Sequence, residues 1–420
     1  MDISAGEGKN IPGVLSHRER DFRWGRVLTF MDEHGIDGLL VFASDRPGAD
    51  HYLTNDRPGQ HIVFPRKGKM VSLAWSTQVV SQNLISRECQ EDTWLEDIRV
   101  RWAGASVAEL LREKGLEGKR VGVIGLGALG ASPSAQDGWV PYGTWVSIKE
   151  SLSTTTFQDV TSDFLLLMLE RSPQDIAYLR RAAQAGEKAC KEIMEAARAG
   201  ATELDVYSAG MCSFHKNGMN TAPLILTSGP DNFSWGRPMW LYRDQPPRVL
   251  KEGDLVMVEM FPEYGGMEAQ LQLAVGIGAV HPDHEMCAGA ARKAYEAALA
   301  AIKPGATFGE VCEAMEKPVL EIGGWHLTPL IHTLNPPLVQ TSSIALNIEI
   351  QVPEIAHHYV HVRGRNRSGK DFQLKPGMSF ELEPNAHLGR HRVNIGGTVV
   401  VTETGVEELN EISTRLRRVS

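Results

Sequence analysis

The sequence predicts an α/β domain followed by an α+β domain, with the break near residue 168. Three observations carry this. Residues 1 to about 165 alternate helical and strand patterns, as a sheet covered by helices does. Arg171-Ser172-Pro173-Gln174-Asp175 then opens a helix abruptly, with Ser172 as N-cap and Pro173 at the first helical position. Beyond residue 250 the apolar period becomes that of antiparallel strands carrying helices on one face. The expected domains are 1–168 and 169–420.

Within the first domain, Arg18 to His34 reads as a helix with its apolar stripe at Phe22, Val27, Leu28 and Met31. It stops at His34-Gly35. Gly38 to Ala43, His61 to Pro65, Met70 to Trp75 and Arg120 to Ile124 read as short buried strands. Val107 to Lys114 is helical, with Ser106 as its expected N-cap. Gly125-Leu126-Gly127-Ala128-Leu129-Gly130 matches GxGxxG after a strand. Dinucleotide binding needs the third glycine to open a helix. Ala131-Ser132-Pro133-Ser134 follows instead, so the segment reads as a glycine-rich loop.

In the second domain, helices are expected from Pro173 to about Arg198 and from Glu203 to about Lys216. Asp254 to Phe261 is a strand, Gln270 to Gly278 its hairpin partner, and Gly265-Gly266 lies in the turn. Ala288 to Ile302 and Thr307 to Ile322 are helices, the latter with a Thr307/Glu310 capping box. Strands near Met378 to Glu383 and Thr398 to Thr402 precede a charged tail.

Composition narrows the function classes. The 420 residues are 42% hydrophobic and carry a net charge of −9 without a Lys/Arg block, so no nucleic-acid partner is expected. Five scattered cysteines without a CxxC pair argue against a disulfide framework and fit a reducing compartment. No signal-peptide pattern and no apolar run near the roughly 20 residues of a bilayer span are visible. A cytoplasmic protein without membrane contact is expected.

Glu259 shares a strand face with Leu255, Met257 and Phe261 by the two-residue period. A carboxylate among apolar neighbours is costly unless paired or used; the bland alternative is a solvated position on an open sheet face. A hairpin through Gly265-Gly266 sets Gln270 and Gln272 against it. Glu381 and Glu383 share a face of a strand that Pro384 ends, and a bend is needed if one meets solvent and the other a cavity. Seven of the fourteen histidines, His326, His332, His357, His358, His361, His387 and His391, fall late in the chain, in loop-rich sequence of the kind that carries sites.

These segments resemble a family. Ser172 to Ala183 is similar to the opening of the catalytic domain in aminopeptidase P, prolidase and creatinase. Lys251-Glu252-Gly253-Asp254-Leu255-Val256, Ile302-Lys303-Pro304-Gly305, Lys375-Pro376-Gly377-Met378 through Glu383-Pro384, and Thr398 through Leu409 match that family's motifs in order. The resemblance implies a pita-bread catalytic domain behind a smaller α/β domain, and a homodimer. The family's peptidases hold two divalent metals with two Asp, one His and two Glu. By the same resemblance those positions fall on Glu259, Gln270, the region of His326, Glu383 and Gly396, with His332 matching a second, substrate-contacting histidine. An amide and a glycine cannot replace two anionic ligands of hard dications. Creatinase works without metal, but its base histidine falls on Gly236 and its second-strand carboxylate on Gln272.

The resulting expectation is a metal-independent enzyme cleaving a C–N or related bond in a small polar molecule, as hydrolase or lyase. Glu259 or Glu383 would be the base, with His332 or His326 completing proton transfer. Gln270 and Gln272 would orient the substrate, Trp235 and Trp240 wall the pocket, and Arg237, Arg392 or His361 contact the ligand. No cofactor is expected. The alternatives are one divalent metal on Glu259, Glu383 and a histidine, a metal-dependent Xaa-Pro peptidase with ligands relocated to His357, His358 and His361, and an inactive peptide-binding domain.

Overall fold

A computed structural model describes residues 15–44, 48–56, 59–88, 93–128, 137–231, 234–325, 329–345, 348–359, 364–367 and 369–420. The chain divides into two compact units: Met1–Gly130 with Ser134–Met168, and Ala131–Pro133 with Leu169–Ser420.

The first unit holds a six-stranded sheet in the order Asp97–Val100, Val71–Ala74, His61–Pro65, Gly38–Val41, Arg120–Ile124, Thr156–Asp159. Gly38–Val41 runs parallel to Arg120–Ile124 and antiparallel to His61–Pro65. Central strands covered on both faces can be apolar throughout, and Gly38–Val41 and His61–Pro65 are buried at every position. Two local expectations need correction. The helix His17–Glu33, capped by Ser16, leaves Phe22 and Leu28 exposed and buries Glu19 and Arg23 with Val27, Phe30 and Met31. The Arg23 guanidinium pairs with Glu19 at 2.9 Å and stacks 4.9 Å from the Tyr52 ring and 5.0 Å from the Trp94 ring. A paired charge under aromatic rings thus outcompetes the apolar stripe for the core. The helix expected over Val107 to Lys114 spans Gly104–Glu113 behind Ala103, so Ser106 lies inside it.

Glycine at 127 has a packing reason. Its N–H donates to Asp159 Oδ1 at 3.2 Å, and a Cβ there would meet Asp159 Oδ2 at 2.3 Å. Residues 129–136, which include the third glycine of the motif, lie outside the described residues; among the described ones the next helix is Tyr142–Ser151.

The second unit starts with helices Pro173–Ala196 and Glu203–Lys216, the first capped by Ser172 Oγ accepting from the Asp175 N–H at 3.1 Å. Its main sheet runs Ile331–Leu334, Ser379–Leu382, Gly396–Val401, Leu271–Ile277, Leu255–Met260, Ile225–Gly229. Val406–Glu408 adds to Gly396–Val401, and Arg417–Val419 pairs parallel with Leu271–Ile277. The expected charged tail is therefore partly strand: its chain end supplies ladder partners that Val275 to Ile277 would otherwise lack. The helix expected from Ala288 starts earlier, spanning Pro282–Ala301 with His281 as N-cap and Pro282 in its first turn. Phe308–Glu321 keeps its capping box, with Thr307 N–H donating to Glu310 Oε2 at 2.7 Å. A separate hairpin, Asn385–Leu388 with His391–Asn394, is antiparallel. Among the described residues no helix is long and apolar enough to cross a membrane.

Candidate active site

The middle of the curved sheet gathers carboxylates and amides. Glu259 on Leu255–Met260 lies opposite Gln272 on Leu271–Ile277 and opposite Ile225 on the other side. Two residues from Gln272, Gln270 donates its Nε2 to Glu259 Oε1, and the Trp235 indole donates to Glu259 Oε2 at 2.6 Å. Behind them, Gln272 Nε2 donates to Glu383 Oε2 at 2.9 Å, while Gln272 Oε1 accepts from Asn394 Nδ2 at 2.8 Å. Glu259, Gln270, Gln272, Glu383, His332, Arg392 and Asn394 are all buried.

His332 and Glu383 make a proton-sharing pair. His332 Nδ1 lies 2.9 Å from the Thr333 carbonyl oxygen, a contact that is attractive only if Nδ1 carries a hydrogen. In the neutral ring, Nε2 then turns a lone pair toward Glu383 Oε1, 3.4 Å away. Two acceptors facing each other attract only with one proton between them. Burial pulls the His332 imidazole down to about 4, and burial, then the charge of Glu259, pushes the Glu383 carboxyl well above its usual range, with Arg392 opposing. The proton therefore belongs to Glu383 at rest.

Glu259 differs. Burial raises its carboxyl too, but N–H donors from Trp235, Gln272 and Gln270 and the Arg392 charge oppose that rise. Arg392 is pulled to about 10 by burial against the pull of both glutamates, so it stays charged at neutral pH. Its Nε donates to Asn385 Oδ1 at 3.0 Å and its Nη1 to the Ser234 carbonyl at 2.8 Å. Its Nη2 has no acceptor among the described residues. The two carboxyl groups thus sit in different environments, with more donors opposing the rise at Glu259 than at Glu383, and such a difference is what acid–base chemistry draws on. A narrow cleft of about 10 Å³, room for about one water molecule, reaches Glu259, Gln272, Arg392 and Asn394, with Trp235 at its wall beside Ile225, Thr227 and Met257.

The metallopeptidase family M24 matches residues 177–403, which is 227 of the 420. The chain belongs to this peptidase family. A probable dipeptidase PepE of Mycobacterium bovis is 28% identical over 258 residues, 58% of this chain and 59% of the relative, so the match spans about three fifths of that relative's length. The X-Pro aminopeptidase of Thermotoga maritima has a similar fold, with TM-score 0.70 and 16% identity over 94% of this chain and 99% of that one. The dipeptidase PepE of Mycobacterium ulcerans has TM-score 0.70 and 20% identity over 97% of this chain and 100% of that one. The M24 resemblance and the pita-bread architecture of the second unit are thus shown.

M24 peptidases usually use divalent metals, so the donor set of this chain must be compared with a two-ion centre. Glu259 and Glu383 are the carboxylates that the sequence resemblance places at ligand positions, and both already accept from side-chain N–H groups. At Gly396, level with Gln272 on the neighbouring strand, a Cβ would lie 2.0 Å from the Leu382 carbonyl oxygen and 2.9 Å from Glu383 Cα. No side chain fits there without moving backbone. These residues do not fit a pair of hard cations.

Two expected site residues lie elsewhere. Trp240 donates to Glu203 Oε2 at 3.1 Å and packs edge-on against Tyr207 at 5.5 Å, outside the cleft. Arg237 is exposed, with its Nη1 on Tyr242 Oη at 3.3 Å. Both follow Trp235 in a short loop-and-turn segment whose direction no periodicity fixes. His326 and His361 lie outside the described residues. His357 and His358 are exposed and stack at 3.8 Å. Asn394 is a cleft residue that sequence reasoning does not single out, although it shares a strand face with Arg392 by the two-residue period.

Glu381 is buried rather than solvated, with Thr398 Oγ1 at 3.5 Å and its Oε1 without a partner among the described residues. Burial, then the charges of Glu383 and Glu259, push its carboxyl well up. An acid with a raised folded value stabilises fully below its unfolded value, and that contribution is lost as pH rises through the folded one. Glu381→Gln should therefore lose less Tm than the parent between pH 5 and pH 8, by at least about 2 °C if about 1 kcal/mol is at stake. Equal loss in both proteins, measured by calorimetry, would show that Glu381 is not the group responsible.

Proposed function

We propose that this chain is a hydrolase cleaving a C–N bond in a small, carboxylate-bearing molecule without a two-metal centre. The observation supporting this is the cleft that holds Glu259, which accepts from two side-chain N–H groups, and a buried Arg392 whose Nη2 has no acceptor among the described residues. Arg392 receives the substrate carboxylate in charge-assisted hydrogen bonds. Gln272 and Asn394 orient the scissile group. Trp235 swings off Glu259 to admit substrate and water. Glu259 takes a proton from water as its oxygen attacks the carbon, and the proton passes to the leaving nitrogen as the C–N bond breaks. Glu383 and His332, one layer behind Gln272, hold the reserve proton that keeps Glu259 the only anion of the pair. The proposal includes a domain boundary at 168/169, a cytoplasmic location and a homodimer.

The test is turnover of small N-acyl amino acids, dipeptides and guanidino acids by chelator-treated protein. Turnover should survive chelation, and Arg392→Lys should raise KM about 10- to 100-fold, the worth of one or two charge-assisted bonds. The second reading, a metal-dependent dipeptidase, is favoured by the family match and the dipeptidase relatives. It requires turnover to vanish with chelator and return with added Mn²⁺ or Co²⁺, which would sink the first reading.

A further inference from the structure

We propose that His281, Asp283 and His391 form a binding site for one divalent transition-metal ion, separate from the candidate active site. Each offers one ligand atom, and these lie within 4.8 Å of one another; no other such group of His, Cys, Asp and Glu occurs among the described residues. Asp283 Oδ2 lies 3.7 Å from His281 Nδ1 and 3.9 Å from His391 Nε2. Ligands of a tetrahedral ion with bonds near 2.0–2.2 Å sit roughly 3.4 Å apart, so closure requires side-chain movements of roughly 1 Å. The two imidazole rings now stack at 4.0 Å, nearly parallel at 5°. Their lone pairs run side by side, and one ring must tilt to converge on an ion. His281 is exposed enough to do so, its side chain being 48% accessible.

A second observation is independent of this triad. His284 is completely buried, and neither ring nitrogen has a hydrogen-bond partner among the described residues. Its ring stands edge-on to His391 at 4.9 Å. A buried polar ring without partners is costly and calls for a ligand. One turn of helix thus presents His281, Asp283 and His284, and the Asn385–Asn394 hairpin closes over them with His391.

Charge decides the chemistry of the ion. The site lies at the N-terminus of Pro282–Ala301, where the helix dipole disfavours a cation. Asp283 must offset that, helped by Asp231, whose charge also reaches His391. Two imidazoles and one carboxylate suit Zn²⁺, Co²⁺ or Ni²⁺ and do not suit Ca²⁺ or Mg²⁺. Binding replaces the 3.2 Å cap bond from the Asp283 N–H to His281 Nδ1. It would tie the helix to the strand whose next residue, Arg392, enters the cleft.

The test uses the full chain after chelator dialysis, titrated with ZnCl₂ by calorimetry and with CoCl₂ by absorption at pH 7.5. One equivalent should bind with a rise in Tm, and His391→Ala, His281→Ala and Asp283→Asn should each weaken binding at least tenfold. Glu383→Gln should bind as the parent does. Unchanged affinity in all three variants, loss of affinity in Glu383→Gln, or no binding by the parent would overturn the proposal. His281→Ala, at an exposed side chain, keeps the test valid if His391→Ala folds poorly. The site's existence does not depend on the proposed reaction, because the readout is binding.

Discussion

Glu259→Gln should lower kcat/KM by about 10²–10⁴-fold, the range a positioned general base contributes. Glutamine keeps the volume and removes only the anion, so the loss reads the proton transfer and not a cavity. Its amide also disturbs the local pairing. Glu259 accepts from Gln270 on one oxygen and from Trp235 on the other, and an NH₂ on either side would face a donor. That mismatch costs about 1–3 kcal/mol of stability, so the variant must be assayed well below its Tm. The pH profile separates the two effects. A base with a raised carboxyl gives a rate that climbs as pH rises through that value and levels off above it. The climbing limb should vanish in the variant. A variant that keeps the limb, or more than half the parental rate, would remove Glu259 from the chemistry.

How far the sequence foretells this site follows from the distances along the chain. Caps are local, and so the Ser172-Pro173 start and the Thr307/Glu310 box were readable from four residues each. The Glu259–Gln272 pairing was readable because a two-residue period and one glycine turn set both strands. Contacts across long separations left no such mark. Gln272 and Glu383 are 111 residues apart, and His332 meets Glu383 only because Ile331–Leu334 pairs with Ser379–Leu382. Arg392 was chosen for its charge, but Asn385 and Ser234 fix it, and neither stands near it in the sequence except through the hairpin. Trp240 and Arg237 do not line the cleft, for the converse reason: proximity to Trp235 in sequence does not set direction in a loop. His281 carries no local mark in the sequence, because the helix it caps starts at Pro282, six residues before the apolar pattern at Ala288 announces one.

Gly396→Glu should destabilise the second unit and should not create a metal-dependent peptidase. The substitution restores the carboxylate that the family resemblance places there. Its Cβ alone would stand 2.0 Å from the Leu382 carbonyl oxygen, a backbone atom that cannot rotate away. Gly396 faces Gln272 in the ladder, and Gly397 beside it faces both Leu271 and Leu382. Any relief must therefore move the strands that carry Gln272 and Glu383 together. Overpacking in a fitted core costs about 1–3 kcal/mol, and backbone displacement takes this site to the upper end. At about 2–4 °C per kcal/mol for a unit of this size, the Tm should fall by roughly 6–12 °C. Gly396→Ala carries the same Cβ without the charge and should account for most of that fall, which separates sterics from electrostatics. A Gly396→Glu protein with parental Tm and new Mn²⁺-dependent dipeptidase activity would mean that the strands yield easily. The residue at 396 would then be all that separates this cleft from a two-metal centre, and the metal-free reading would fail.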